Sequence, residues 1–328
     1  MVVIRTGCER LVHALCFTVS LWAGMPVAIA ADVPRPDVAV FVANLNVARG
    51  TIDHAVNIAP GKGTNFQPSF VNDSSAVLFA SERSGTANIY KYVIASGETL
   101  PLTSTKENLY SPTALSDGSG FVAVRVVNPD PYYGLEATAP TLWRFGWDGK
   151  PLSPWVDMRR AAYYSAIGEQ QVAMFIVDEV AERNAHKVVV LDRPSGKVTV
   201  ISEKAGRSLA AAPDGKRIGF VDQRDPKRWV IAAIAPGEGA PTALVDTVAG
   251  PAGEKESQRS QYFVWLRDGS ILMANGTRFY RWNGVKGSAF MPFADLGKIG
   301  GAIKNIALSP DGKKLAFSVS LDTIAPAP

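Results

Sequence analysis

Short runs of alternating apolar and polar residues recur along the chain, and a turn sequence joins them in pairs. The stretch SPDGKKLAF near the C-terminus is an example, because Leu315 and Phe317 share one face while the residue between them points to the other. A period of two residues is typical of a β-strand. The Asp311-Gly312 pair before it favours a tight hairpin turn. The stretch therefore predicts two strands joined by a hairpin.

This unit of strand, turn and strand occurs six times. Successive turns are 43 to 54 residues apart, and their central acidic residues are Asp73, Asp117, Glu169, Asp214, Asp268 and Asp311. Most units continue with an aromatic or β-branched third strand such as NIYKYV and a short fourth strand such as LPLT. Four-stranded units of this length cannot bury both faces alone, so they stack in a ring. The pattern predicts an all-β fold, a six-bladed β-propeller of four-stranded antiparallel blades.

The sixth unit is incomplete at the C-terminus. Residues 306–320 supply its first two strands, and the chain then ends. Residues 38–45 and 54–59, near the other end, have strand character but no turn of the repeated kind before them. We therefore expect these N-terminal strands to complete the last blade, which would close the ring and protect its sheet edges.

The first 30 residues have the pattern of a secretory signal peptide. Arg5 and Arg10 precede an apolar run, and small residues before Ala31 fit a cleavage site. The run is shorter than the ~20 residues that a membrane-spanning helix needs, although an uncleaved anchor is the alternative. We expect residues 1–30 to be removed and residues 31–328 to form a single propeller domain in the periplasm or outside the cell. Both cysteines, Cys8 and Cys16, would leave with the signal peptide, which excludes disulfides and cysteine chemistry from the mature chain.

Several stretches resemble the repeats of the TolB-like propellers. They are QPSF, SERSGTANIYKY and LPLTST in the first unit and ALSPDGKKLAFS in the last. The similarity extends from about Asp37 to Ser320, and the third unit departs from it because Gly168-Glu169 replaces the usual Asp-Gly turn. No counterpart of the α/β domain that precedes the propeller in TolB itself is expected here. The resemblance implies the six-bladed fold. It leaves the role open, because such propellers cap hydrolase domains and also serve as plain binding platforms.

Charge and motifs argue against several other functions. Without the signal peptide, 32 basic and 29 acidic residues remain, and a balance of +3 is too small to favour nucleic acid. Only His54 and His186 remain, so a zinc site with three histidines is impossible. The chain contains no Gly-x-Ser-x-Gly nucleophile motif, and the turn aspartates are explained as caps of their own turns. We predict no catalytic residue, no metal and no cofactor.

One face of the predicted ring concentrates arginine and tyrosine. This loop face is formed by the loops that join second to third strands and by the loops between blades. Arginine and tyrosine suit recognition because they combine contact area with directional hydrogen bonds. Our candidate binding residues are Arg83, Tyr110, Tyr132, Tyr133, Arg160, Tyr163, His186, Arg207, Arg228, Arg259 and Tyr262. Carboxylates lie among them, so a solvated face of ion pairs is the alternative.

These features favour a monomeric, non-enzymatic module that binds an envelope protein or peptide through the loop face and the mouth of the channel. A hydrolase or lyase that acts on a glycan or lactone inside the channel is the alternative. It would need converging carboxylates, for which Glu107, Asp157 and Asp246 are candidates. A purely architectural subunit of an envelope assembly is a third possibility.

Overall fold

The computed structural model describes residues 38–60, 63–127, 139–177, 186–235, 237–248 and 261–321. They form six four-stranded antiparallel sheets, as the sequence predicted. Blade 1 contains β3 (Asn65–Phe70), β4 (Ala76–Ser81), β5 (Asn88–Val93) and β6 (Glu98–Pro101). Blade 2 contains β7 (Asn108–Ala114), β8 (Gly120–Val126), β9 (Thr141–Gly146) and β10 (Pro151–Arg159). Blade 3 contains β11 (Ala161–Ile167), β12 (Gln171–Ile176), β13 (Lys187–Asp192) and β14 (Lys197–Ser202).

Blades 4 to 6 follow the same order. Blade 4 contains β15 (Ala205–Ala211), β16 (Ile218–Asp222), β17 (Val230–Ile234) and β18 (Thr242–Asp246). Blade 5 contains β19 (Phe263–Trp265), β20 (Ile271–Asn275), β21 (Arg278–Trp282) and β22 (Met291–Asp295). Blade 6 contains β23 (Ala302–Leu308), β24 (Lys314–Ser320), β1 (Val38–Asn46) and β2 (Thr51–Asn57). A single turn of 3-10 helix at Gly297–Ile299 precedes β23, and no helix of the described residues is long and apolar enough to cross a membrane.

The two ends of the chain meet in blade 6, which confirms the predicted closure. Strand β1 pairs with β24 from Val38 opposite Ser320 to Asn44 opposite Lys314. The rings of Phe41 and Phe317 stack across this pairing with centroids 6.0 Å apart. Strand β2 then covers the outer edge of β1. The closing sheet therefore combines the first and last described strands of the protein.

Two strand boundaries of this blade differ from the sequence prediction. Strand β2 begins at Thr51 instead of residue 54, because Asn46 and Gly50 form a compact turn in which the Asn46 side chain accepts a hydrogen bond from the Arg49 N–H at 3.0 Å. Gly50 has a φ of 67°, which glycine adopts without strain. Strand β23 begins at Ala302 instead of residue 306, directly after Gly300, which has a φ of 72°.

The core consists of six apolar clusters, and each cluster lies between two neighbouring blades. All six residues of β4 are buried, for example, because both faces of an inner strand contact another blade. The cluster between blades 6 and 1 includes Val40 and Ala316 from the closing blade and Phe79 from β4. Blade-to-blade packing thus removes large apolar area from water, and this burial holds the ring together.

The repeated turns confirm the structural role predicted for their aspartates. Asp117 accepts hydrogen bonds from the Ser119 N–H at 2.9 Å and the Ser119 hydroxyl at 2.7 Å. Asp73, Asp214, Asp268 and Asp311 likewise accept a hydrogen bond from the backbone N–H two residues later. Within the described residues, no group of three or more His, Cys, Asp or Glu side chains is placed to hold a metal ion.

Candidate binding site in the central channel

The innermost strands of the six blades surround a small cavity at the centre of the ring. Its volume is about 120 Å³. Every blade contributes to its wall, from β3, β7, β11, β15 and β23 and from Tyr262 next to β19. The polar side chains of the wall belong to Gln67, Ser69, Ser111, Thr113, Tyr163, Tyr164, Arg207, Ser208, Tyr262 and Asn305. Among the described residues that line it, none is a carboxylate or a histidine.

Local irregularities turn these side chains toward the channel. The pairing of the first with the second strand shifts register in blades 1, 2, 3, 4 and 6. A β-bulge of this kind re-aims side chains that regular alternation would place elsewhere. Three bulge residues also have a positive φ, which is 56° at Gln67, 47° at Ser111 and 21° at Asn305. Such a backbone is strained for residues other than glycine, and strain of this kind concentrates at functional sites.

Several polar side chains of the wall form hydrogen bonds within the protein. The side-chain oxygen of Gln67 accepts the Ser111 N–H at 2.8 Å, and the side-chain oxygen of Asn305 accepts the Ser318 hydroxyl at 3.0 Å. The Ser69 hydroxyl donates to the Pro112 carbonyl at 2.6 Å. The Tyr164 hydroxyl lies 3.0 Å from the Ser111 carbonyl. These hydrogen bonds fix the orientation of the side chains before a ligand arrives.

The guanidinium of Arg207, in contrast, remains available to a ligand. Arg207 is exposed along the wall, and it forms no ion pair with a carboxylate among the described residues. Tyr163 and Tyr262 stand beside it with their hydroxyl groups. Burial raises the pKa of Tyr262, and the neighbouring Tyr163 raises it further, whereas Arg207 and the Asn305 amide lower it. The phenol is therefore neutral at pH 7 and can donate its proton in a hydrogen bond.

No protein-family model and no curated protein matches the chain, but solved structures share its architecture. A protein from Agrobacterium tumefaciens assigned to TolB has a TM-score of 0.62 at 12% identity, over 87% of this chain and 99% of that one. TolB from Acinetobacter baumannii has a TM-score of 0.51 at 14% identity, over 85% of this chain and 63% of that one. This chain folds as a TolB-like six-bladed β-propeller.

Enzymes share the fold as well. A gluconolactonase from Xanthomonas campestris has a TM-score of 0.57 at 13% identity, over 88% of this chain and 95% of that one. Identities this low establish the architecture alone. The fold therefore does not distinguish a binding protein from an enzyme, and the side chains of the candidate site must be compared with what each function needs.

The structure brings together only some of the predicted binding residues. Tyr163, Arg207 and Tyr262 converge on the channel wall and not on the loop face. Tyr163 and Arg207 belong to β11 and β15, which begin earlier than the sequence pattern indicated. Gln67, Ser111 and Asn305 were not predicted. The only signal for the first two is a repeated polar-Pro-hydroxyl sequence, QPS at 67–69 and SPT at 111–113.

Other predicted binding residues form contacts within the protein. Tyr110 lies in β7 and stacks on Phe66 at 5.7 Å. The Arg83 guanidinium donates to Ser81 at 2.8 Å and lies 4.6 Å from the centre of the Tyr90 ring. The His186 ring lies 4.9 Å from the Phe175 ring, and Arg228 pairs with Asp246 at 2.7 Å. Arg160 lies between β10 and β11 and has a φ of 66°.

Three candidates, Tyr132, Tyr133 and Arg259, lie outside the described residues, as does the predicted signal peptide. The conceivable catalytic carboxylates are described and do not converge. Glu107 binds Arg125 through both oxygens at 2.5 and 2.7 Å. Asp157 and Asp246 belong to β10 and β18, the outermost strands of two different blades. None of the three lines the channel.

A larger groove of about 550 Å³ lies at the outer rim, between blades 4 and 5. Residues 243–248 line one side and residues 286–290 line the other. Its charged residues include the Arg228–Asp246 pair, which is already neutralised within the protein. The central channel is the better candidate site because six blades converge on it.

Proposed function

We propose that this protein is an exported, non-enzymatic binding module of the cell envelope. It engages a protein or peptide through the loop face and the mouth of the central channel. The observation that supports this proposal is the composition of the channel wall, where donors from six blades surround the unpaired Arg207 without any described carboxylate or histidine. A wall of this kind can bind and orient a ligand.

Catalysis in the channel has less support. Hydrolysis or elimination on a glycan or lactone needs a positioned acid and base, or a metal that replaces them. The described channel wall offers tyrosines, an arginine and amides instead. The candidate acid Glu107 is held by Arg125, and the acids of β10 and β18 are on outer strands. Binding is therefore the function that the described geometry supports best.

Site-specific photocrosslinking in the native compartment tests the binding role. A photoreactive residue is placed at Lys106 or Lys227, which are exposed on the loop face, and at Ser116 or Lys216, which are exposed on the opposite turn face. We expect the loop-face positions to crosslink a discrete envelope protein or peptide and the turn-face positions to give none. Equal labelling from both faces, or none from either, would contradict the proposal.

Two further measurements separate the proposal from its alternative. Purified protein is assayed for turnover of a panel of lactones and oligosaccharides, and we expect no rate above that of the buffer. Saturable turnover that disappears in the Arg207→Gln variant would favour an enzyme. The N-terminus of protein recovered from the cell envelope tests export, because cleavage after Ala30 would leave Ala31 as the first residue.

A further inference from the structure

We infer that the central channel is a carboxylate-binding site in which Arg207 pairs with the ligand's carboxylate and the surrounding donors complete its hydrogen bonds. This inference rests on the proposed binding function and names the chemical group that the channel recognises. Three properties of the channel support it: the charge of the wall, the direction of its hydrogen bonds and the size of the cavity.

The charge of the wall is one-sided. Arg207 is the single charged residue among the described residues that line the cavity. Arg207 is exposed in the free protein, so water solvates it, and the low-dielectric walls of the channel focus its positive field on an entering anion. An anionic group of a ligand would supply the missing charge. The planar guanidinium matches a carboxylate through two parallel hydrogen bonds.

The hydrogen bonds of the wall favour the same ligand. The side-chain oxygens of Gln67 and Asn305 accept hydrogen bonds from Ser111 and Ser318. Each amide is thereby oriented. The Asn305 NH₂ group donates to the Tyr262 hydroxyl, whereas the Gln67 NH₂ group has no partner among the described residues. An ionised carboxylate only accepts hydrogen bonds, with about four lone-pair positions on its two oxygens. Arg207, the Tyr163 hydroxyl and the Gln67 amide offer matching donors from three blades.

The backbone adds rigidity to this arrangement. Gln67, Ser111 and Asn305 have a positive φ and sit in bulges on three separate strands. A left-handed conformation costs about 1 to 2 kcal/mol for such residues. The ring of packed blades holds them there, so the donors are in place before a ligand arrives. Preorganised donors bind more tightly because little ordering remains to be done.

The size of the cavity limits what enters. About 120 Å³ is well below the ~300 to 1,000 Å³ of sites that enclose a whole drug-sized ligand. The channel therefore accommodates a carboxylate and a few attached atoms, while the rest of a larger ligand extends toward the mouth. Two sources supply such a group, a small free carboxylate and the C-terminus of a peptide.

Isothermal titration calorimetry at constant ionic strength tests the inference. The probes are acetate, inorganic phosphate, and an N-acetylated tetra-alanine peptide with either a free or an amidated C-terminus. The proteins are the wild type, Arg207→Gln and Arg217→Gln. Arg217 is the control because it loses the same charge on the turn face, where it pairs with Asp214 at 2.7 Å.

We expect acetate, the free peptide or both to bind the wild type and Arg217→Gln, and to bind Arg207→Gln about tenfold more weakly or worse. Acetate binding would identify a small carboxylate as sufficient, whereas binding of the free peptide alone would identify a peptide C-terminus. Either result supports the inference. Equal binding of the free and amidated peptides, tighter binding of phosphate, undiminished binding by Arg207→Gln, or no binding at all would overturn it.

These outcomes are independent of the crosslinking experiment. A loop-face crosslink together with equal binding of the two peptides would retain the proposed function and remove the carboxylate site. Acetate binding that depends on Arg207, without any loop-face crosslink, would retain the carboxylate site and remove the protein-binding role. A Tyr262→Phe variant provides a second readout, since it removes one donor and should weaken carboxylate binding less than Arg207→Gln does.

Discussion

The arginines of the loop face and the arginine of the channel have the same side chain but different surroundings. Arg224 donates to both oxygens of Asp222, from Nε to Oδ1 at 3.0 Å and from Nη2 to Oδ2 at 2.6 Å. Arg228 and Arg278 pair with Asp246 and Asp295 at 2.7 and 2.8 Å. Hydrogen bonding to these acids raises the pKa of Arg228 and of Arg278. Arg207 alone among these four has no acidic partner among the described residues.

This difference shows that the number of arginines on a surface is a poor guide to recognition. An exposed ion pair contributes only about 0 to 1 kcal/mol to stability, and it also neutralises the charge that a ligand would contact. The loop-face pairs therefore behave as the solvated surface that the sequence left open as an alternative. Arg207, the charged residue of the channel wall, has no such acidic partner among the described residues. Four predictions test this contrast, beginning with the largest expected effect.

Removal of an acid from a paired arginine should destabilise the fold most where the pair is buried. Glu107→Ala leaves the Arg125 guanidinium, whose side chain is 10% exposed, without a counter-charge beside the Trp143 ring. We expect the free energy of unfolding to fall by about 3 kcal/mol in urea titration. The double variant Glu107→Ala with Arg125→Met should recover part of the loss. A loss below about 0.5 kcal/mol in the single variant would show that the pair is not structural.

Changes at Arg207 should affect binding and not stability. Arg207→Lys keeps the charge but loses the planar fork, so we expect carboxylate affinity between that of the wild type and that of Arg207→Gln. Both variants should unfold within about 0.5 kcal/mol of the wild type, because the exposed side chain forms no ion pair with an acid of the described residues. Calorimetric titration measures the carboxylate affinity, and urea unfolding measures the stability. A destabilisation comparable to that of Glu107→Ala would assign Arg207 a structural role.

Strain in the channel wall should be released by glycine. Ser111 has a φ of 47°, and its hydroxyl is buried without a hydrogen-bond partner in the described part of the chain. Ser111→Gly should therefore raise the free energy of unfolding by about 0.5 kcal/mol. Ser69→Gly is the matched control, because it removes the hydroxyl that donates to Pro112 at 2.6 Å and should destabilise. If both variants destabilise equally, the positive φ at Ser111 carries no strain.

The turn aspartates should contribute a small, acid-sensitive stability. Hydrogen bonds from the Ser119 hydroxyl and then the Ser119 N–H lower the pKa of Asp117 from its ordinary value of 3.8. A lowered pKa in the folded state stabilises the fold above the ordinary value, and this contribution disappears as the pH falls through the lowered pKa. Asp117→Ala should lower the midpoint of thermal unfolding slightly at pH 7, and the gap should close below pH 3.8. A gap that is constant with pH would exclude the charge as its source.

The fold could be predicted from local signals. The turn at Asp311-Gly312 and the alternation after it recur in the other units, and the incomplete last unit required strands from the N-terminus. The first residues of β2 and β23, Thr51 and Ala302, were harder to predict. The turn before β2 depends on the Asn46 side chain and on the positive φ of Gly50, which alternation does not reveal.

The site could be predicted only in part. Tyr163, Arg207 and Tyr262 were found from residue type, but they were assigned to the loop face and lie in the channel. Bulges explain the difference, because an inserted residue breaks the alternation from which a face is assigned. Asn305 gave no signal and Gln67 only the repeated QPS sequence, since their orientation depends on neighbours 13 and 44 residues away that donate to their side-chain oxygens.

Nuclear magnetic resonance of the arginine side chains tests the central claim most directly. The Nε–H resonances of the ¹⁵N-labelled protein are assigned with Arg207→Lys and Arg217→Lys, and acetate or the free tetra-alanine peptide is then added. We predict a saturable shift of the Arg207 resonance, with the Arg217 and Arg228 resonances unchanged. A shift at Arg228 or other loop-face arginines while Arg207 stays in place would contradict the assignment of recognition to the channel.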